Sequence, residues 1–272
     1  MLQVVERAPA KVNLALHVRG RRPDGYHELS SIVAFADIAD LLTVAPAANN
    51  ALTVSGRFAG DVPLDASNII WKAYRWLSGQ INVPPVVVKL QKNLPVAAGI
   101  GGGSADAGAL LRGLLRMTQQ TLSEAQINSL ATELGADVPV CFRGVACTIE
   151  GIGEIISPLT IKLPAALVLV NPMQACSTHE VFSRMGLQGG QAFRGGVEFW
   201  RNDMTKAALK VQPAIGEVLA ALGQSNLETC LMSGSGATCF GAAPSLNQAQ
   251  VEAQKLKALH PTWWVRAARL LT

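Results

Sequence analysis

The segment Pro95-Val96-Ala97-Ala98-Gly99-Ile100-Gly101-Gly102-Gly103-Ser104-Ala105-Asp106-Ala107 constrains this chain more than any other. Four glycines in five positions let the backbone turn back on itself with no Cβ in the way. The β-branched run Pro85–Leu90 predicts a strand before it, and Ala107–Met117 predicts a helix after it. A strand, a glycine loop and a helix start together make an anion cradle, because free N–H groups and the positive dipole end of the helix coincide there. The Ser104 hydroxyl is available for a phosphate or a metal ion. A turn that merely permits close packing is the competing reading, and the cluster's place at a helix start speaks against it. The pattern G-x-x-x-x-G-K-[ST] is excluded, since no lysine follows the glycines. The dinucleotide fingerprint fails as well: its sixth position is Ser104 counted from Gly99 and Asp106 counted from Gly101. Protein-kinase signatures such as H-R-D are absent.

The rest of the chain must supply a core for that loop. With 49% hydrophobic and 15% charged residues over 272 positions, disorder and coiled coil are excluded, and one large or two modest domains are expected. A formal net charge of +4 is too small for a nucleic-acid footprint but suits small anionic substrates. No apolar run approaches the roughly 18 residues of a membrane span. Leu163–Val170 is among the longest, and Glu6, Arg7 and Lys11 stand where a secretory signal needs its apolar stretch. A cytoplasmic protein with no nucleic-acid or membrane partner is expected. The five cysteines include no C-x-x-C pair and read as reduced, mostly buried thiols. The four histidines have no metal-ligand spacing, so no permanent metal site is expected.

Val12, Leu14, Leu16 and Val18 alternate with Asn13 and His17, which predicts a half-buried strand with Lys11 and Asn13 on its opposite face. Pro23-Asp24-Gly25 predicts a turn, followed by a strand near Ser31–Ala36. Ile69, Ala73, Trp76 and Leu77 fall at helical spacing, with Asp65 or Ser67 as cap. Thr121 and Glu124 read as a capping box for a helix that Gly135 ends. Val145–Ile156 predicts two strands around Gly151–Gly153. Beyond Pro158 come a strand (Ala166–Val170), a helix (Thr178–Met185) and a glycine-bearing loop (Gly186–Gly196) suited to close over substrate. A helix from Pro213 to Gly223, strands Thr229–Met232 and Ala237–Ala242, a helix Leu246–Leu259 and a strand Trp263–Ala267 complete the chain. Two α+β halves, 1–157 and 158–272, are the expected organisation.

Pro-x3-Gly-x-Gly-Gly-Gly-Ser-Ala resembles the phosphate loop of the GHMP kinases. Two further motifs of that family occur in its order: Ala8-Pro9-Ala10-Lys11-Val12-Asn13-Leu14, and Met232-Ser233-Gly234-Ser235-Gly236-Ala237-Thr238-Cys239-Phe240-Gly241. Arg22-Pro23-Asp24-Gly25-Tyr26-His27-Glu28-Leu29, Leu134-Gly135-Ala136-Asp137-Val138-Pro139-Val140 and Gly151-Ile152-Gly153-Glu154 resemble the members whose acceptor is 4-diphosphocytidyl-2-C-methyl-D-erythritol. The resemblance spans nearly the whole chain, apart from a short C-terminal end without a recognisable motif. It implies a two-domain α+β fold: a ribosomal protein S5 domain 2-like N-terminal domain, a ferredoxin-like C-terminal domain, and an active site in the cleft between them. It also implies an ATP-dependent kinase, monomer or homodimer, that phosphorylates the 2-hydroxyl of this acceptor on the non-mevalonate route to isoprenoid precursors. Mg²⁺ would arrive with ATP, with Ser104 and Asp106 near it, since a metal held mainly by phosphates needs few protein ligands.

The same resemblance distributes roles. Asp137 becomes the base for the acceptor hydroxyl; a carboxylate at the mouth of the apolar run Val138–Phe142 is partly desolvated, which suits it to accept a proton. Lys11 would stabilise charge on the transferring phosphoryl group. Tyr26 and Phe182 match cytosine-stacking aromatics, His27 a reader of the base edge, and Asn13 a partner for a substrate hydroxyl. Thr178 belongs to the cytidine-side segment, in which His179 departs from the proline of some members. Asn68, Lys92, Pro95 and Val96 fall on the ATP side with Gly99, Ile100, Gly101, Gly102, Gly103 and Ser104. Ser233, Gly234, Ser235 and Gly236 read as a second glycine loop that buttresses the first. Without the family, Lys11 reads as a strand-edge lysine, Asp137 as a turn residue, Asn68 as a helix cap and the aromatics as core. A homoserine, mevalonate or sugar kinase, or a non-catalytic sensor on the same fold, are the alternative readings. Arg22–His27 speaks against the first group, and an intact Lys11, Asp137 and glycine loop against the second.

Overall fold

Val4–Arg21 forms one strand, β1, whose residues from Ala8 to Val18 are buried on both faces. The expected half-buried strand is thereby corrected: Lys11 is 4% exposed and Asn13 2%, so the polar side of the alternation faces protein rather than water. The structure is a computed structural model and describes residues 3–187 and 200–271. Arg22 to Tyr26 turn the chain back, with Gly25 N–H donating to Arg22 O and Arg22 N–H to Tyr26 O. The following strand, β2 (His27–Pro46), is far longer than its sequence signal and serves both compact units of the molecule.

One unit takes the residues up to 10, Ile38–Val96 and Gly101–Gly144. Here the second half of β2 pairs antiparallel with β4 (Val86–Gln91), Leu42 opposite Leu90, and β4 pairs parallel with β3 (Ala51–Ser55). Helix α1 (Ile69–Ser78) buries Ile70, Ala73 and Leu77, a stripe at helical spacing. Its cap is Asn68, whose Oδ1 accepts from Ile70 N–H, rather than the expected Asp65 or Ser67. Asp65 instead accepts from the Ser67 N–H and hydroxyl, one turn too early. Helix α2 (Gly102–Thr118) is followed by α3 (Glu124–Glu133) and α4 (Val138–Arg143). The capping box of α3 is Ser123 with Gln126, not Thr121 with Glu124, because the helix starts two residues later than that pair requires.

The other unit takes Lys11–Asp37, Ala97–Ile100 and the residues from 145 onward. Strand β10 (Trp264–Leu271) runs antiparallel to β7 (Ala166–Asn171) and meets the first half of β2 at Ala36 and Phe35. β7 continues through β9 (Cys239–Ala243) to β8 (Cys230–Met232). The hairpin β5 (Cys147–Gly151) and β6 (Ile155–Pro158) extends β2. Helices α5 (Thr178–Met185), α6 (Thr205–Val211), α7 (Ala214–Gly223) and α8 (Leu246–Leu259) supply Val181, Ala208, Ile215, Val218, Leu222 and Leu256 to a core shared with Val168 and Val170. Most of the loop expected at Gly186–Gly196 lies outside the described residues. The five cysteines are free thiols, four of them buried. Among the described residues no helix is long and apolar enough to cross a membrane.

Candidate active site

The glycine segment passes through both units, and its backbone explains its composition. Gly99 and Gly101 adopt φ of 75° and 62°, while Gly102 and Gly103 already belong to α2. The cap residue of α2 is Gly101, with no side-chain hydrogen bond, and the first bond of the helix runs from Ala105 N–H to Gly101 O at 2.8 Å. The N–H groups of Gly102, Gly103 and Ser104 therefore have no carbonyl inside the helix, and they coincide with its positive dipole end. Such an end fits a polyphosphate. Ser104 stands half-buried there and Gly103 is exposed.

Beside this helix end lies a cavity of about 180 Å³. The structure brings Asn68, Lys92 and Val96 together in its wall, joined by Asp61, Val62, Pro63, Ser67, Ile69, Gly103 and Asp106. Asn68 acts there through structure: beyond its cap bond, Nδ2 donates to Pro63 O at 2.6 Å. Lys92 is not the exposed lysine that its residue type suggests. It is 2% exposed, with Nζ 2.5 Å from both Asp40 Oδ2 and Asp106 Oδ2. Asp40 Oδ1 accepts from the N–H groups of Asn93 and Leu94. Burial pushes Asp106 up to about 8, with Lys92 opposing and Asp40 reinforcing the shift. For Lys92, burial lowers its basicity, but the two carboxylates outweigh this and the net shift is upward. Asp106 was expected near a phosphate-borne metal; the residue is instead 3% exposed, with its carboxyl turned to Lys92. Asp40 carried no sequence signal, because its role exists only through partners some 50 residues away.

In the other unit the second glycine loop supports the first. Ser233 Oγ donates to Gly99 O at 3.0 Å and accepts from Asn13 N–H at 3.1 Å. Thr238 N–H donates to Ala98 O, and Gly236 O lies where a Cβ on Gly99 would stand, 2.5 Å away. Asn202, which sequence reasoning missed, holds this loop by donating from Nδ2 to Met232 O and Gly234 O. Ser235 pairs its hydroxyl with Thr178 Oγ1 at 2.7 Å, which ties the loop to the start of α5. Lys11 N–H donates to Ile100 O at 2.9 Å, so β1 and the first glycine loop are directly joined. Asn13 Nδ2 donates to Ser31 Oγ, and its Oδ1 is buried without a partner. His27 stacks on Phe182, rings 4.4 Å apart and 22° from parallel. Burial, and then the nearby Arg21 guanidinium, lower the basicity of His27, which favours its neutral form. Tyr26 lies at the hairpin tip, 53% exposed, and His179 is exposed on α5.

Asp137 was expected at the mouth of a strand; Val138–Arg143 is the helix α4, and Asp137 is its half-buried cap residue. The helix wins because Pro139 fits a first turn and Gly144, at φ 65°, ends it. Two residues of α2 place α4. Gly108 lets the backbones touch, since a Cβ there would stand 2.8 Å from Cys141 C and Phe142 N. Arg112 Nη1 donates to the carbonyls of Cys141 and Phe142 at 2.8 and 3.0 Å, satisfying the free end of α4.

Residues 68–145 match the family described as GHMP kinases N terminal domain, and residues 191–262 match GHMP kinases C terminal. A 4-diphosphocytidyl-2-C-methyl-D-erythritol kinase from Paramagnetospirillum magneticum is 43% identical over 97% of this chain and 98% of its own length. One from Mesorhizobium japonicum is 41% identical, over 97% and 95%. A crystal structure of 4-(cytidine 5'-diphospho)-2C-methyl-D-erythritol kinase superposes with a TM-score of 0.78 at 30% identity, over 98% of this chain and 99% of that one. The homoserine kinase of Cytophaga hutchinsonii shares the fold, with a TM-score of 0.70 at 15% identity. The α+β fold, the motif order and full-length identity agree: the chain belongs to the GHMP kinases, in the family of 4-diphosphocytidyl-2-C-methyl-D-erythritol kinases.

Proposed function

We propose that this protein transfers the γ-phosphoryl group of ATP to the 2-hydroxyl of 4-diphosphocytidyl-2-C-methyl-D-erythritol, giving the 2-phosphate and ADP, a step toward isoprenoid precursors. The observation that carries the phosphoryl chemistry is the uncapped N-terminus of α2, reached through two left-handed glycines. The acceptor follows from the names of relatives that match the chain end to end. As the acceptor oxygen bonds to the γ-phosphorus, the bond to the β–γ bridging oxygen breaks and ADP leaves with that electron pair. Asp137 takes the hydroxyl proton, and Lys11 offsets the negative charge on the transferring group. The N–H groups of Gly102, Gly103 and Ser104 hold the phosphates. Asn13 Oδ1 accepts from an acceptor hydroxyl, and Tyr26, His27, Thr178, His179 and Phe182 form the cytidine side. Opening of the His27–Phe182 stack would give the cytosine its place. Mg²⁺ arriving with ATP would supply charge neutralisation, and the Ser104 hydroxyl is the group of the helix end that would help hold it. We further propose that the family's two domains divide near residue 157, between the matched spans, and that the enzyme works in the cytoplasm, as a monomer or homodimer.

The test is ADP release from Mg-ATP with 4-diphosphocytidyl-2-C-methyl-D-erythritol, homoserine, mevalonate and galactose in parallel. Turnover confined to the cytidine substrate, with phosphate on its 2-hydroxyl, is expected; turnover only with another acceptor would overturn the reading. Asp137→Asn should lower kcat at least about a hundredfold while ATP binding is retained. Unchanged turnover would remove Asp137 from the role of base.

A further inference from the structure

Helix α4 is not held by its cap. Asn68, Ser123, Ser177 and Ser245 each cap their own helix with a side-chain oxygen. Asp137 is of a residue type equally suited to that work, yet its side chain makes no capping bond. Pro139 removes one of the amides that such a bond would serve. A helix of six residues has little stability of its own, so something else must fix it. The hold is at the other end. Gly144 N–H donates to Val140 O, and Arg112 Nη1 covers the next two carbonyls, of Cys141 and Phe142. The same guanidinium donates from Nη2 to Arg7 O at 2.7 Å and from Nε to Glu6 Oε2 at 3.2 Å. Glu6 is 6% exposed and pairs as well with Arg116, whose Nη2 lies 2.8 Å from Oε1. Arg112 thus joins the start of β1 to α2 and α4, within one compact unit.

We propose that Arg112, tethered by Glu6, is a positioning residue for phosphoryl transfer: it fixes α4 from its C-terminal end and so leaves the Asp137 carboxylate for the acceptor hydroxyl. This deepens, and rests on, the reading of Asp137 as the base. Six residues in helical conformation move as one short rod, and Asp137 O accepts from Cys141 N–H at 3.1 Å. A shift of the carbonyls that Arg112 holds therefore carries through to Asp137. A displacement of about 1 Å at a catalytic group costs on the order of a hundredfold in rate. The residue type matters as well. A guanidinium offers five N–H groups in a rigid plane, whereas a lysine keeps the charge but gathers its donors at one point. Lysine at 112 could not serve Glu6, Arg7 O and two carbonyls of α4 together.

The experiment is a double-mutant cycle of Arg112→Lys and Asp137→Asn, assayed with Mg-ATP and the cytidine acceptor well below the melting temperature of each variant. Arg112→Lys alone should lower kcat about tenfold or more, with KM for Mg-ATP within about twofold of wild type. Added to Asp137→Asn, it should change kcat by less than about twofold, since the group it positions is already gone. Amide hydrogen exchange at Cys141 and Gly144 should be about tenfold or more faster in Arg112→Lys, with the amides of α2 unchanged. Equal losses of kcat in both backgrounds would mean a general effect on the fold and overturn the proposal. Unchanged exchange in α4 would overturn it too, and that measurement decides the matter if the protein turns over no acceptor at all. Wild-type turnover in Asp137→Asn alone would instead remove the base, and the role of Arg112 with it. If Arg112→Lys does not fold, Glu6→Gln replaces it: the tether is weakened, and a smaller loss of kcat alone should again vanish beside Asp137→Asn.

Discussion

At 99–104 the chain presents the first N–H groups of α2 with no capping side chain, whereas at 233–236 a second glycine loop has its polar groups tied to neighbours. Both are rich in glycine and serine, and both use left-handed backbone, at Gly99 and Gly101 in one and Gly234 and Gly236 in the other. The difference lies in where the hydrogen bonds go. Ser104 sits at an open helix end, while Ser233 is 0% exposed and joins Gly99 O to Asn13 N–H. A binding loop is thus recognised by what it leaves unsatisfied, and a supporting loop by what it satisfies elsewhere.

Substitutions should separate the two behaviours. The largest effect is expected for Gly99→Ala, where the loops touch. A Cβ there stands 2.5 Å from Gly236 O on a backbone at φ 75°, so chemical denaturation should show a loss of about 3 kcal/mol or more. Wild-type stability would mean that the contact between the loops is loose. Ser233→Ala comes next: two hydrogen bonds go, one buried and one partly buried, and stability should fall by about 1–3 kcal/mol with KM for ATP nearly unchanged. A raised KM without a loss of stability would place Ser233 on the ligand rather than on the fold. Ser104→Ala should give the smallest and opposite pattern, with stability within about 0.5 kcal/mol of wild type and a few-fold rise in KM for Mg-ATP. If its melting temperature drops instead, the Ser104 hydroxyl belongs to the structure and the contrast fails.

The same logic explains which parts of the molecule can be read from its sequence. Helices α5 and α8 appear at the residues their periodicity indicates, Thr178–Met185 and Leu246–Leu259, because local spacing and a serine cap define each of them. The half-buried character expected of β1 fails because both its faces are covered, so alternation no longer separates core from solvent. Val138–Arg143 has six residues, too few for a helical period to emerge from an apolar run, and α6 with seven escapes notice for the same reason. In the site, the glycine motifs are legible since their backbone conformations need particular residues. Asp40, Arg112 and Asn202 are not, because each acts through atoms 29 or more positions away. The Ser123 box shows a smaller failure of the same kind, since two overlapping serine and threonine starts differ only in where the helix begins.

The contact of Gly108 with α4 also gives α2 the character of a ruler. Six residues separate Gly102, at the uncapped end, from Gly108, or about 9 Å along the axis. The length of one helix therefore sets how far its uncapped amides stand from the backbone that carries Asp137. A single inserted residue between them would turn Gly108 away from α4 by about 100° and bring a side chain to the place where only a hydrogen fits. The count of residues from 102 to 108 is thus as fixed a property of this protein as their chemistry, and change in this stretch must proceed by substitution and not by length.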